Sequence, residues 1–389
     1  MSKTVETRLT LTRYLYITDE VKYSLLLSLI DKKDINSVLF WTYELYYSGR
    51  EEELFQYIRT IYFDFYAIKT PKFYTFIDKQ YVLWSDTKND TIPGFILKNM
   101  FMLPISYSVF TLRQYALTGG VCKHVYNRGR KPTWIKSYTD TYHTILRALH
   151  KKSYIDVYYY ICKLKDEDVK GCMFEVGKYF ENELHMDIDK EFYEAYEDDY
   201  SNMTHHDVKQ VWIATILNLM QYESCTHHKK LLLIKLTENE IKQFTDTETT
   251  VCTPLYKTLG IKRLYKIHDN IGYFKLKRND LVLSEDYNLV DEIQHHWLYY
   301  AYHTPRYKNI LDKYEEISID HIKREIVFKD DDDDFEDFYE NYGYFEPDEQ
   351  STETIQKVFK YNSDNIDINS FVKDNTLGIS FTPSQRFIY

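Results

Sequence analysis

Several residue types that mark particular protein classes are scarce in this sequence. Its five cysteines among 389 residues are unevenly spaced, which excludes a disulfide framework and favours a reducing compartment. The best apolar runs, Tyr23–Ile30 and Leu231–Leu236, are far shorter than the roughly 20 residues that a membrane-spanning helix needs. The first residues carry an early acid and no apolar stretch, so we expect neither a secretory signal nor a membrane partner.

Motifs of the common catalytic and nucleotide-binding sites are also missing. Eleven glycines leave little material for a phosphate-binding loop, and no Walker A, Gly-x-Gly-x-x-Gly, Gly-x-Ser-x-Gly or His-Glu-x-x-His motif occurs. The thirteen histidines include three adjacent pairs, but their spacing does not bring four zinc ligands together. Asp187 and Asp189 have the spacing of a divalent-metal pair, without the glycine turn of an EF-hand. The sequence therefore favours a non-catalytic protein without a cofactor, and it identifies no catalytic residue and no metal ligand.

Tyrosine is the residue that is present in unusual abundance. The chain has 39 tyrosines and 22 phenylalanines but six alanines. Mutational bias in an AT-rich genome explains this composition, and selection of tyrosine as a rigid contact residue at interfaces is a compatible second interpretation. Apolar residues make up 44% of the chain and charged residues 28%, which excludes uniform disorder and indicates a sizeable core.

The formal net charge of −11 arises from one acidic block. Asp330–Glu349 contains eleven acidic residues and no Lys or Arg, so the rest of the chain is electrically balanced. Consecutive aspartates repel one another, which predicts a solvated, partly disordered loop. Aromatic residues alternate with these acids, and an apolar tail ends the chain, so both segments are candidates for docking to a protein partner. The candidate docking residues are Asp331, Asp332, Phe335, Phe338, Tyr339, Tyr342, Phe387 and Tyr389.

Basic residues cluster in a second segment, residues 121–152, which has eight Lys or Arg against one acid. Its centre is punctuated by Gly129 and Pro132, which predicts an exposed loop over residues 123–136. Such a loop can neutralise phosphates while a tryptophan stacks on bases, or it can associate with the acidic block. The candidate nucleic-acid-binding residues are Lys123, Arg128, Arg130, Lys131, Trp134 and Lys136.

Helical periodicity dominates residues 15–310 and predicts a mainly α-helical fold, either a bundle or an irregular array of helix hairpins. In the clearest unit, Asp34 is a candidate N-cap, Gly49 stands where a helix ends, and Trp41 belongs to the hairpin core. A weak echo of residues 28–41 occurs at residues 148–161, each with a Lys-Lys break between two helices. A minor β element is expected near residues 273–284 and in the C-terminal region, at 326–328 and 378–381.

Composition along the chain predicts three regions. Residues 1–150 and 151–310 are expected to form two helical domains. Residues 311–389 hold the acidic block, a Ser/Thr/Asn-rich stretch and the apolar tail, so they are expected to form a partly disordered C-terminal region.

The stretch 25–67, and above all Leu39-Phe-Trp-Thr-Tyr-Glu-Leu-Tyr-Tyr-Ser-Gly-Arg-Glu-Glu-Glu-Leu, resembles uncharacterised helical proteins of nucleocytoplasmic large DNA viruses. The resemblance covers about 45 residues. It implies a setting in the host cytoplasm or the viral factory, with packaging in virions as a further option, and no biochemical activity.

Three functional hypotheses follow. The first is a non-catalytic helical scaffold or adaptor of a large DNA virus, which binds viral or host proteins through a tyrosine-rich surface and the acidic-aromatic segment. The second is a nucleic-acid-binding accessory subunit of viral replication, transcription or translation, which uses the basic loop. The third is a metal-dependent enzyme centred on Asp187 and Asp189.

Overall fold

The computed structural model describes residues 10–117, 130–186, 205–220, 232–245, 274–275, 289–314, 317–329, 333–342 and 387–388. Across these residues the fold is mainly α-helical, as the sequence predicts, with fourteen α-helices and two small two-stranded sheets. Within the same residues, no helix combines the length and apolar character that crossing a membrane requires.

The first nine helices lie between residues 18 and 184. They are α1 (Thr18–Asp31), α2 (Ile35–Tyr46), α3 (Glu51–Phe65), α4 (Phe73–Thr87), α5 (Thr91–Met102), α6 (Ser108–Leu117), α7 (His143–His150), α8 (Tyr154–Ile161) and α9 (Asp166–Leu184). Two 3₁₀ turns, Trp134–Ser137 and Asp140–Tyr142, precede α7.

The remaining elements are more widely spaced along the sequence. The helices are α10 (His205–Met220), α11 (Glu238–Thr245), α12 (Leu289–Ala301), α13 (Pro305–Leu311) and α14 (Asp333–Tyr342). The strands are β1 (Phe274–Lys275), β2 (Ser318–Asp320), β3 (Glu325–Val327) and β4 (Phe387–Ile388).

Local signals in the sequence fix the α1–α2–α3 unit. The Asp34 carboxylate accepts the backbone N–H groups of Asn36 and Ser37, at 2.9 and 3.1 Å, and thereby caps α2. Gly49 ends the turn after α2 with φ +75°, a left-handed conformation that favours glycine. A Cβ atom at Gly49 would lie 3.1 Å from Cδ of Pro305, so the position also needs a small residue for packing. Trp41 is 2% exposed, which confirms its place in the core.

The predicted echo of this unit has a matching backbone. Lys32 and Lys152, which lie 120 residues apart, both adopt the left-handed conformation, with φ of 50° and 54°. Each lysine follows the end of one helix and precedes the start of the next by two or three residues, and the two helices of each pair pack together. Residues 28–41 and 148–161 are therefore two helix hairpins of similar local geometry.

Buried side chains form three hydrophobic cores. The first core joins α1–α6 with α11 and one face of α10, and the second joins α7–α9 with the opposite face of α10. Val211, Ala214 and Leu217 face the first core, whereas Trp212 and Ile216 face the second. Helix α10 is thus apolar on two sides and connects both cores.

A third core contains α12, α13, α14 and the residues around β3. Three residues of the N-terminal loop, Leu11, Leu15 and Ile17, pack into it, while the neighbouring Tyr16 packs into the first core. The loop spanning residues 10–17 therefore belongs to two cores at once. The division into domains 1–150, 151–310 and 311–389 stays a prediction.

The β structure is small, as expected. Strands β2 and β3 pair antiparallel, with Ser318 opposite Val327, which places the predicted C-terminal strand one residue earlier than 326–328. Strand β1 pairs in parallel with β4, so Phe274 lies opposite Phe387 and the C-terminal tail contacts the body of the same chain. Residues 281–284 and 378–381, also predicted as strands, lie outside the described residues.

The acidic block departs from the prediction of a solvated loop. Its residues 333–342 form α14, an amphipathic helix whose apolar side faces the third core. Phe338 is fully buried, and Phe335 and Tyr339 pack beside it at the i−3 and i+1 positions. Repulsion between the acids is tolerated because Asp333, Glu336 and Asp337 lie on the exposed side, where water screens their charges.

Candidate functional site

Three of the six predicted nucleic-acid-binding residues are exposed on the surface, and Lys123 and Arg128 lie outside the described residues. Arg130, Lys131 and Lys136 are exposed. Lys131 donates to Asp140 with Nζ 3.0 Å from Oδ1, so part of the positive charge is compensated within the chain. The hydrogen bond and charge of Lys131 lower the pKa of Asp140 below its usual value.

Trp134 is the centre of an aromatic group. Its ring is half-buried, and its centroid lies 5.1 Å from that of His150 and 5.3 Å from that of Tyr179. His150 is exposed and is followed by the exposed Lys151 and Lys152. We call the surface formed by Arg130, Lys131, Trp134, Lys136, His150, Lys151 and Lys152 the Trp134 surface.

Two buried tyrosines support this surface through hydrogen bonds. The Tyr179 hydroxyl lies 3.1 Å from Nδ1 of His150, and the Tyr138 hydroxyl donates to Glu183. Burial raises the pKa of both tyrosines to about 12, and the charge of Glu183 adds to the effect. Both phenols stay protonated near neutral pH, so they position the rings above them and carry no charge.

The candidate docking residues of the acidic block divide into two groups. Phe335, Phe338 and Tyr339 contact the chain's own core, so Phe338 is a packing residue and is not a surface contact. This corrects its assignment to partner docking. Asp331, Asp332 and Tyr389 lie outside the described residues, as does the side chain of Tyr342, which ends α14. The backbone of Phe387 belongs to β4.

The described residues contain no group of three or more His, Cys, Asp or Glu side chains that could hold a metal ion. The rings of the adjacent His295 and His296 are 6.4 Å apart, and Nδ1 of His296 lies 3.1 Å from the carbonyl oxygen of Arg324. Cys172 is buried, and burial raises the pKa of its thiol to about 12, which makes it a poor nucleophile. Asp187 and Asp189 lie outside the described residues.

Two buried ion pairs hold elements of the first core together. In the first pair, Nε of Arg113 on α6 donates to one carboxylate oxygen of Asp64 on α3 at 3.0 Å. A second guanidinium nitrogen donates to the other oxygen. Glu44 on α2 receives Nε of Arg13 at 3.0 Å. All four side chains are 5% exposed or less. Their carboxylates and guanidinium groups are directed at one another, so these charges have a structural role.

Residues 232–245 form a segment that we call the strap. Its residues 232–237 form no helix or strand and contact α5 through Asn99 and Lys98. The segment continues as α11, which packs on α2 and α5. The Asn99 side chain on α5 holds its backbone from both sides: Oδ1 accepts the N–H of Ile234 at 2.8 Å, and Nδ2 donates to the Ile234 carbonyl at 3.0 Å. Asn99 is 3% exposed.

The outer side of the strap is apolar and exposed. Leu232, Leu233 and Ile234 are 88%, 41% and 39% exposed. Met102, which is 64% exposed, lies one turn after Asn99 on α5 and therefore on the same side of that helix. These four residues form what we call the apolar patch. A second exposed apolar pair, Val82 and Leu83, lies on α4.

Neither the strap nor the apolar patch was predicted from the sequence. The apolar run Leu231–Leu236, which is too short for a membrane span, is the sequence signal that marks this segment. The start of α11 was predictable, because Thr237 and Glu240 have capping-box spacing and Glu240 accepts the Thr237 N–H at 2.9 Å. No protein-family model, curated protein or solved structure matches the chain.

Proposed function

We propose that the protein is a non-catalytic helical adaptor that binds another protein through the apolar patch. The observation that supports this function is the exposure of four apolar side chains. Leu232, Leu233 and Ile234 are consecutive on the strap, whose backbone Asn99 holds, and Met102 lies one turn after Asn99 on α5. Contiguous exposed apolar surface on a soluble chain is typical of an interaction site. The aliphatic side chains of the apolar patch fit a partner surface with complementary apolar groups.

The setting that we propose is a large DNA virus, with the protein in the host cytoplasm or the viral factory. This part rests on the resemblance of residues 25–67 and on the high tyrosine and low alanine content. Packaging in virions is a further proposal, and quantitative mass spectrometry of purified particles against infected-cell lysate tests it.

Affinity purification with matched variants tests the adaptor function. Leu232→Ser combined with Leu233→Ser should remove specific partners from the captured set, because both side chains are exposed and their loss leaves the core intact. Val82→Ser with Leu83→Ser is the control, since it removes a similar exposed pair at a different site. Identical captured sets from the wild type and both variants would contradict the proposal.

A second candidate function is binding of single-stranded nucleic acid at the Trp134 surface. The observation that favours it is the close pair of rings, Trp134 and His150, with centroids 5.1 Å apart and next to exposed lysines. Bases stack on such rings, and the lysines neutralise phosphates.

Charge reversal tests this second function. Lys136→Glu with Lys151→Glu should weaken binding of any oligonucleotide sequence equally and make the salt dependence shallower, because phosphate contacts carry no base information. Lys33→Glu with Lys79→Glu is the control, as both lysines are exposed on other helices or turns. Absence of binding at about 50 mM salt removes this candidate.

A further inference from the structure

We propose that the groove between α2 and α5 is a peptide-binding groove, which holds the strap as a replaceable internal ligand and accepts a partner segment of the same pattern. This inference rests on the proposed adaptor function and specifies how the partner is bound. Three kinds of contact between groove and strap support it.

The first kind of contact is recognition of extended backbone. Asn99 is buried, and its amide pairs with both polar backbone groups of Ile234, while Nδ2 also donates to the carbonyl of Phe95 within α5. An amide that reads the N–H and C=O of one residue recognises an extended chain and leaves the side chain of that residue unspecified. The 39% exposure of Ile234 agrees with this, because the residue is only partly enclosed by the groove.

The second kind of contact is a row of apolar anchors. Leu236, Ile241 and Phe244 are 8%, 3% and 2% exposed, and the ring of Phe244 stacks on Tyr43 of α2 with centroids 5.8 Å apart. Gly94 of α5 gives Leu236 its space, since a Cβ atom there would lie 2.5 Å from the leucine Cδ2. An amphipathic helix that places spaced anchors in a groove is a recurring mode of peptide recognition.

The third kind of contact fixes the direction and length of the ligand. Lys98 of α5 forms an ion pair with Glu240, at the start of α11. Arg13, held in place by Glu44, donates to the carbonyl oxygen of Phe244 near the other end of the helix. A cation at the C-terminal carbonyls complements the helix dipole, so the groove is polarised to receive a helix in this orientation.

Together these contacts define the chemistry of the partner. The ligand is a segment that enters extended and then forms a helix, with apolar residues at the positions of Leu236, Ile241 and Phe244 and an acid at that of Glu240. A free segment of this kind competes with an internal ligand whose effective concentration is of millimolar order, so the wild-type chain discriminates strongly against weak ligands.

A fluorescent synthetic peptide of residues 232–245 tests the inference on the full-length chain. Phe244→Ala weakens the internal ligand and leaves the groove unchanged. The labelled peptide should therefore bind this variant roughly 30-fold more tightly than it binds the wild type, which is the effect of removing one anchor of hot-spot size. A peptide with Ile241→Asp is the control ligand and should not bind. Adding Asn99→Ala to the variant should weaken binding of the normal peptide.

A second variant covers the case in which Phe244→Ala does not fold. Glu240→Ala retains all apolar anchors and should tighten peptide binding by a smaller factor, since Glu240 is 40% exposed. Folded variants that bind the peptide no better than the wild type would overturn the inference. Conversion of the variants into a dimer at rising concentration, seen by light scattering, would assign the groove to a second copy and overturn the partner assignment.

Failure of this experiment is distinguishable from failure of the adaptor function. If the apolar-patch variants still lose partners while the peptide does not bind, the groove inference alone is wrong. If neither set of variants changes anything, both proposals are wrong.

Discussion

The buried pair of Arg113 and Asp64 shows how this chain uses charge inside its core. The two side chains are 5% and 0% exposed and share two hydrogen bonds. Desolvation of both ions opposes their attraction, so the pair as a whole adds little net stability. The pair fixes α6 against α3, because its two hydrogen bonds join the two helices.

Removing one partner of this pair should be costly. Arg113→Met leaves the Asp64 carboxylate buried without its counter-ion, and we expect the free energy of unfolding to fall by about 3–5 kcal/mol. The double variant Arg113→Met with Asp64→Leu should recover most of that loss. Urea unfolding followed by circular dichroism measures both, and equal losses in the single and double variants would contradict this account.

Glu240 gives the strap a dependence on pH. Its ion pair with Lys98 and the N–H of Thr237 lower its pKa below the ordinary value of 4.5. A carboxyl with a lowered folded-state pKa stabilises the fold above about pH 4.5, and the contribution is lost as the pH falls through the folded-state pKa. The wild type should therefore be more stable than Glu240→Gln at pH 7, and the difference should shrink steadily below pH 4.5.

Thermal unfolding at stepwise lower pH measures this difference. The matched control is Glu238→Gln, which removes an exposed carboxylate from the first turn of the same helix. If the difference in melting temperature between the wild type and Glu240→Gln stays constant from pH 7 to pH 3, the ion pair does not stabilise the strap.

Helix α14 illustrates a conflict between charge and apolar spacing. Five consecutive aspartates predict a solvated loop, yet Phe335, Phe338 and Tyr339 recur at i, i+3 and i+4, the spacing of one helix face. Burying that face outweighs the repulsion, which the exposed acids relieve through solvent. The composition of the acidic block therefore predicts its secondary structure poorly, whereas the spacing of its aromatic residues predicts the helix.

Phe338→Ala should expose this role directly. Truncating a fully buried aromatic residue lowers the free energy of unfolding by about 3–5 kcal/mol. Glu336→Ala on the exposed side of α14 should change it by less than about 0.5 kcal/mol. If both variants unfold at the wild-type urea concentration, α14 contributes nothing to the third core.

The predictability of each helix follows the strength of its local signals. The start of α2 was predictable because Asp34 caps it, and Gly49 marks the turn that follows. Neither α4 nor α9 has a side-chain N-cap hydrogen bond, so the sequence contains no comparable signal for where these helices begin. Few of the side chains of α4 are buried, so its apolar pattern is weak, and packing against α3 and α5 stabilises it instead.

The site was less predictable than the fold for the same reason. Asn99 and Ile234 lie 135 residues apart, and nothing in either neighbourhood indicates the other. The Trp134 surface was partly predictable, since its lysines and tryptophan are close in sequence. Its support by His150 and Tyr179 depends on the tertiary fold.

At the scale of the whole molecule, shared elements connect the three cores. Helix α10 joins the first two, and the loop of residues 10–17 joins the first to the third. We therefore expect one cooperative unfolding transition. In a variant whose only tryptophan is Trp41, fluorescence reports on the first core. In a variant whose only tryptophan is Trp297, fluorescence reports on the third core. Their fluorescence transitions in urea should coincide, and two separate midpoints would show that the cores unfold independently.

The position of the N-terminal loop in the sequence also determines how long its apolar residues remain uncovered during synthesis. Leu11, Leu15 and Ile17 are synthesised about 280 residues before Trp297, where the described residues that cover them begin. At about 5–20 residues per second, synthesis of the intervening chain takes on the order of 15–60 s. Throughout that interval the apolar loop of the nascent chain lacks the third-core residues that cover it. The residues of the first core have mostly been synthesised by then and can already collapse. The order of translation thus makes this short loop a natural client for chaperones.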